Sequence, residues 1–500
     1  MSIRTRLTRA FERVFKGPDE LELTEGTVGR PLFFLSLPIV ITNLLQTAYN
    51  LADTFWLGQY STEALAAISF AFPMVFLLIA LGMGLSVAGS ILVAQYTGAD
   101  RPQQAEYAAS QTMTFSLLAA VILGLLGFFV VHRLLGLFGA SPDVLPGATA
   151  YMQVISLGLV FMFGFFVFIS LMRGYGDTVT PMLVMFGSVA VNIALDPFVI
   201  FGWGPFPELG VAGAAYATIF SRGLALVVGL YIMFEGSRGV RIRPREMIPD
   251  VTFLRRLLRL GVPASIEGTG RALSVNLMLF VVGMFPTTVV AAYGIGVRVF
   301  SVVFLPAIAV ARGVETMTGQ NIGADKPDRA ATAAGFAAKV MFVILGLFGV
   351  YIWIAGEAVV GLFSNDPTVV ATGTTFLQFV APTFGFLGIM RAYSGSIRGA
   401  GKTMVAAVIG ITTLGLIRLP IAYVGAINIG QTGIWIAFGI SNVVGAVIAY
   451  LWYRRGTWRE ADATTDPNID LDLDLDDDPP AEPIDGDAEG MASTDDRAET

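Results

Sequence analysis

The chain has 500 residues, 55% hydrophobic and 14% charged, with a mean hydropathy of +0.70. A soluble domain carries about 25% charged residues, so water is the wrong solvent for most of this chain. No cysteine and a single histidine, His132, exclude disulfides, thiolate metal sites, cysteine nucleophiles and histidine proton relays. The net charge of −7 divides unevenly: sixteen acidic residues and one basic lie from Glu460 onward, leaving a balance of +8 in residues 1–459.

Residues 1–30 lack an apolar core with a small-residue cleavage site. Ile3, Leu7, Phe11 and Val14 fall near helical spacing with Arg4, Arg6, Arg9 and Arg13 between them, which predicts an interfacial helix on the cytoplasmic leaflet. A basic leader without structure is the plain alternative. Apolar stretches matching the roughly 20 residues that span a bilayer then follow at 33–57, 64–95, 107–131, 148–172, 181–202 and 210–234. After the basic segment 237–259, six more run at 260–285, 289–317, 329–354, 369–394, 404–425 and 431–453. Residues 456–500, rich in Asp-Leu-Asp, Asp-Asp-Asp and Pro-Pro, have too little apolar surface to fold and are expected to form a disordered cytoplasmic tail.

Lys and Arg fix the orientation. Loops and termini on one face carry 22 of them and those on the other carry only Arg133, which predicts cytoplasmic termini and a multi-pass protein of the cell membrane.

The chain is also internally duplicated. "AQYTGADRPQQA" (94–105) recurs as "GQNIGADKPDRA" (319–330), and "MRGYGDTVTP" (172–181) as "IRGAGKTMVA" (397–406). One offset of 225 relates Pro38 to Pro263, Gln95 to Gln320, Asp100 to Asp325 and Arg173 to Arg398. Each half has an even number of spans, so both insert with the same orientation. Such parallel repeats place a two-fold axis along the membrane normal and the substrate path between the halves. The fold expected is an all-α membrane protein of twelve transmembrane helices in two six-helix repeats. Its parts are an N-terminal segment (1–30), an N-lobe (31–236), a linker (237–259), a C-lobe (260–455) and the tail.

Ionisable groups inside a membrane are costly and point to function. Asp53 in the first span and Asp196 in the fifth fall at similar depth. Asn192 shares the helix face of Asp196 four residues on, Thr218 reaches that depth in the sixth span, and Tyr151 opens the fourth. Close carboxylates disfavour double ionisation, so the group reads as a proton site, and its oxygens would equally hold sodium. The bland reading is that these groups only bond neighbouring helices. In the second half, Glu267 with Arg271 and Arg312 with Glu315 are opposite charges one helical turn apart, a spacing that most often neutralises structurally. Glu267, Arg271 and Arg298 are the charge candidates for the substrate cleft, and Arg391 and Arg418 add to them.

These segments resemble multidrug and toxic compound extrusion transporters over residues 30–455, through "LPIVITNLLQTAYNLADTFWLG" (37–58), "RGYGDTVTPM" (173–182), "VNIALDPFVIFG" (191–202), "GVAGAAYATIFSR" (210–222) and "SIRGAGKT" (396–403). The resemblance implies two lobes forming a V-shaped cleft and cation-driven export by alternating access. Within the family the pattern looks most like the archaeal and DNA-damage-inducible-F-like branch, whose ion site is matched by Asp53, Asn192, Asp196, Thr218, Ala214 and Tyr151. The acid that the sodium-coupled branch has in its tenth span is matched by Leu387, which points to coupling in the first half. Expected, then, is an antiporter, cofactor-free apart from H+ or Na+, exporting amphipathic and often cationic compounds. It would act as a monomer in the bilayer with no nucleic-acid partner. The rival readings are a flippase for a lipid-linked saccharide, or a membrane enzyme or receptor. Against an enzyme, no His-Glu-x-x-His, Gly-x-Ser-x-Gly or phosphate-loop pattern is present.

Overall fold

The computed structural model describes residues 21–137 and 139–460. The expected interfacial helix at 3–14 and the acidic stretch beyond Glu460 lie outside them. The first half contains α1 (Gly29–Tyr60), α2 (Thr62–Gly98), α3 (Pro102–Leu137), α4 (Leu145–Leu157), α5 (Leu159–Tyr175), α6 (Val179–Phe201) and α7 (Gly210–Glu235). The second contains α8 (Val251–Val282), α9 (Thr287–Gly323), α10 (Pro327–Gly361), α11 (Pro367–Val380), α12 (Phe384–Gly399), α13 (Thr403–Ile411), α14 (Leu419–Ile429) and α15 (Gln431–Arg454). A π-helical stretch, Thr412–Arg418, joins α13 to α14, and a 3-10 turn, Ala381–Thr383, joins α11 to α12.

Among the described residues, ten spans are long and apolar enough to cross a membrane, and the bent pair α4–α5 supplies an eleventh. The twelfth is α8. Its 32 residues exceed the span length, but Glu267 and Arg271 lower its hydropathy. Backbone polar groups are satisfied inside each helix, as a bilayer demands, and large apolar side chains such as Phe129, Phe280 and Leu362 point outward.

Helix ends follow local chemistry. Asp177 accepts from the amides of Val179 and Thr180 (3.0 and 2.9 Å) and starts α6. Asp250 accepts from the Thr252 amide at 2.7 Å and starts α8 at Val251. The last nine residues of the expected linker 237–259 are therefore membrane-helix extension rather than linker. The fourth span is broken by 55° at Gly158, where Ile219 of α7 packs so close that a Cβ would stand 2.2 Å from its side chain. Its counterpart, the tenth span, runs on from Pro367 to Gly399 with only the 3-10 turn Ala381–Thr383 at the same register.

The duplication is visible in three dimensions. Asp100 and Asp325 both adopt the left-handed conformation, with φ of 56° and 55°. α2 and α9 cross where a Cβ on Gly98 would stand 1.9 Å from the Gln320 carbonyl oxygen, and one on Gly323 1.9 Å from that of Gln95. The same glutamines lock the halves together. Gln95 Nε2 donates to the Gly399 carbonyl at 3.1 Å, and Gln320 Nε2 to those of Gly174 and Tyr175 at 3.2 and 2.9 Å.

The segments leading into each half are crossed as well. Residues 21–26, ahead of α1, lie against α9 and α10. Asn321 Nδ2 donates to the Leu23 carbonyl (3.0 Å), Lys326 Nζ to that of Thr24 (3.2 Å), and Arg329 to those of Leu23, Glu25 and Gly26. Residues 243–250, ahead of α8, lie against α3. Gln111 Nε2 donates to the carbonyls of Glu246 and Ile248, Thr114 to that of Met247, and Tyr107 to the Asp250 carboxylate (2.8 Å).

Candidate functional site

Near the Tyr60 end of α1, three helices bring their polar groups together inside the first half. Asp53 and Tyr49 come from α1, Asn192 and Asp196 from α6, and Ala214, Thr218 and Arg222 from α7. All are buried. On α1 and α7 the residues recur every four positions, one helical face. Asn192 Nδ2 donates to Asp196 Oδ1 at 3.2 Å, and Tyr49 donates to Thr218 Oγ1 at 2.6 Å. Asp53 sits within side-chain hydrogen-bond reach of both Asp196 and Asn192. Tyr151 of α4 is buried within electrostatic range of both acids.

The cluster is rich in acceptors. Asp53 Oδ1, Asn192 Oδ1 and Asp196 Oδ2 are buried and have no hydrogen-bond partner. Buried acceptors without donors are costly, and a proton or a small hard cation would satisfy them. Pro197 directly follows Asp196 and removes one helical N–H, which frees a further carbonyl in this stretch of α6.

The sequence reading singled out Asp53, Asn192, Asp196, Thr218, Ala214 and Tyr151, and the structure gathers them. It missed Tyr49 and Arg222, although each lies one helical turn from a named residue. Arg222 NH2 donates to Gln46 Oε1 (2.8 Å), and its guanidinium lies over the rings of Tyr49 (4.6 Å) and Phe165 (5.3 Å). It is a fixed positive charge within electrostatic range of Asp53.

Glu267 and Arg271 form a separate cluster in the second half. Arg398 of α12 donates to both Glu267 oxygens (2.9 and 3.0 Å) and to Glu315 Oε2 (3.0 Å). Arg271 approaches Glu267 at 3.6 Å, and Arg312 bonds Glu315 at 2.9 and 3.1 Å. The two expected helix-turn pairs are therefore one network bridged by Arg398. Arg298 is exposed on α9 and joins neither cluster. Arg418 is buried and donates to Ser441 and Asn442.

Twelve spans in two like halves, with ionisable groups held in the interior, define a polytopic secondary transporter rather than an enzyme. The MatE family profile matches residues 38–198 and again 263–424, two matches that begin 225 residues apart. The chain belongs to the MatE family of multidrug efflux transporters, which are cofactor-free and coupled to ions. It is 28% identical to the probable multidrug resistance protein YpnP of Bacillus subtilis over 88% of this chain and 97% of that one. It is likewise 28% identical to an FAD transporter of Shewanella oneidensis, over 87% and 97%. A solved structure described as MATE in the bent conformation superposes with a TM-score of 0.83 at 26% identity, covering 90% of this chain and 100% of that one.

Proposed function

We propose that this transporter is a proton- or sodium-coupled antiporter that exports amphipathic organic compounds, with the coupling ion held by Asp53, Asn192, Asp196 and Thr218. Ala214, Tyr49, Tyr151 and Arg222 complete the wall. The observation carrying this reading is the pair of buried acids from α1 and α6 with three unpartnered oxygens between them and Asn192. One proton shared between Asp53 and Asp196 leaves the pair at −1 opposite Arg222, a neutral site. A sodium ion would use the same oxygens. Ion binding draws α1, α6 and α7 together, and a ligand shifts a conformational equilibrium only by preferring one state. The bound ion must therefore favour one facing state over the other.

The test is dye efflux from proteoliposomes under an imposed pH or sodium gradient. Gradient-driven efflux should be lost in Asp53→Asn and in Asp196→Asn; retention in both would sink the mechanism. The gradient that supports efflux names the ion. In this reading residues 31–236 form the N-lobe and 260–455 the C-lobe, around a V-shaped cleft. The inter-lobe segment is residues 237–250, ahead of α8, and both termini are cytoplasmic in a monomer of the cell membrane. Asp53 with Asn192-x-x-x-Asp196 supports placing the site pattern with the archaeal and DNA-damage-inducible-F-like branch, although the bacterial relatives above give that grouping no support by kinship.

The arginine-rich network of the second half favours a second reading, a flippase for a lipid-linked saccharide. Scrambling of a labelled lipid-linked sugar in the absence of dye efflux would replace the export reading with it.

A further inference from the structure

Superposing the halves by their 225-residue offset pairs Arg173 with Arg398, Thr42 with Glu267 and Ser90 with Glu315. Arg398 is thus held by two carboxylates, and its counterpart Arg173 has a threonine and a serine where those acids stand. Arg173 is buried. One nitrogen donates to Ser170 Oγ at 3.1 Å, and its Nε has no partner. Glu315 is within electrostatic range, but its oxygens bond Arg312 and Arg398. A buried guanidinium with no carboxylate bonded to it is under-compensated, and a membrane protein retains such a charge for a reason.

The space around Arg173 follows the same logic. In the second half, Glu267, Arg271 and Arg391 fill the position, leaving a recess of about 10 Å³. Their first-half counterparts are Thr42, Gln46 and Phe166, and there a cavity of about 190 Å³ is open. Arg312 of α9 enters it from the other half, so the cavity depends on how the halves meet. Asn43 also lines it, and its amide nitrogen is buried without a partner. Ile39, Met83 and Ile308 supply apolar wall, and no carboxylate is among the lining residues.

We propose that this cavity binds a phosphate-bearing amphiphile, whose oxygens take around Arg173 the places that Glu267 and Glu315 fill around Arg398. Phosphate suits the site because it offers three acceptor oxygens to Arg173, Arg312 and Asn43, and arginine forks match its geometry. The phosphate belongs either to a soluble ester or to a lipid headgroup. Gln46 ties the cavity to the acid cluster, since it lines the one and accepts from Arg222 in the other. The inference rests on the export reading only for the direction of movement, and its test needs no gradient.

The test measures binding of riboflavin 5′-phosphate and of riboflavin to the full-length protein in neutral detergent, by flavin fluorescence anisotropy. The phosphate ester should bind at least about tenfold more tightly at low salt, with the gap narrowing as salt rises. Thr42→Glu, which installs the carboxylate of the other half, should abolish the gap, whereas Thr42→Gln should keep it. Arg173→Gln should also abolish it; if that variant does not fold, Thr42→Glu alone decides. Competition by phosphatidic acid but not by diacylglycerol supports a lipid headgroup, and its absence supports a soluble ester. Equal binding of the two flavins by the unaltered protein, or a gap that survives Thr42→Glu, overturns the assignment. Loss of ion-driven efflux with the gap intact would instead remove the antiport reading alone.

Discussion

Tyr49 donates to Thr218 at 2.6 Å across the α1–α7 contact, with Asp53 one turn along α1 and Arg222 one turn along α7. The bond therefore holds the acid-bearing and the arginine-bearing faces in register. Tyr49→Phe removes one buried hydrogen bond, worth about 1 kcal/mol. Ion-driven efflux should fall about fivefold while the protein keeps its fold by circular dichroism. Efflux at the unaltered rate would show that Thr218 is placed by packing alone.

Glu267 and Arg298 should part company on mutation. Glu267 is buried and bonds Arg398 through both oxygens. Replacing it with glutamine leaves that guanidinium under-compensated, at a cost on the order of 3–5 kcal/mol. A clear drop in melting temperature in detergent is expected. Arg298→Ala, at an exposed position, should leave melting within about 0.5 kcal/mol of the parent.

The glutamine lock closes one end of the contact between the halves. Gln320→Ala removes two bonds to the other half, each worth about 1 kcal/mol, and should shift the population toward opening at that end. The absence of cysteine makes a direct measurement possible. Ala94→Cys, buried beside Gly319, should react faster with a water-soluble maleimide when Gln320→Ala is added. An unchanged rate would mean that helix packing closes that end without the glutamines.

Docking of residues 243–250 on α3 should depend on pH. Burial pushes the Glu246 carboxyl above its ordinary range, with Glu106 adding to the effect and Arg243 opposing it. A group whose affinity for protons rises on docking stabilises the docked state below its free pKa, and that stabilisation is lost as pH rises through the docked value. Hydrogen-exchange protection of this segment should therefore decline from mildly acidic to neutral pH. Glu246→Gln should flatten the dependence.

The fold was legible because hydropathy and the 225-residue register are long-range patterns that survive local error. The depth of Asp53 and Asp196, and the i to i+4 step from Asn192, put the acid cluster within reach of spacing arguments. Tyr49 obeys the same spacing, but aromatic residues are common on membrane helices and give no separate signal. Arg222, at the middle of α7, did carry the signal of an intramembrane charge, and its face is the one Thr218 already marked. Arg398 is different in kind. It joins Glu267 and Glu315 from different helices, and helical periodicity carries no information about such a contact. The start of α8 was hidden by Arg255, Arg256 and Arg259, whose charge reads as a loop although Asp250 caps a helix there.

The crossed lead-in segments bear on how such a chain arose and is made. Each half sends its entry segment to the other half: residues 21–26 to α9 and α10, residues 243–250 to α3. Cut the chain between the repeats, and these contacts become the exchanged arms of a two-fold dimer. Fusion of two half-length copies would preserve that exchange within one polypeptide. During synthesis the first arm then has no seat until α9 and α10 have emerged, so the earliest segment of the fold is among the last to be secured.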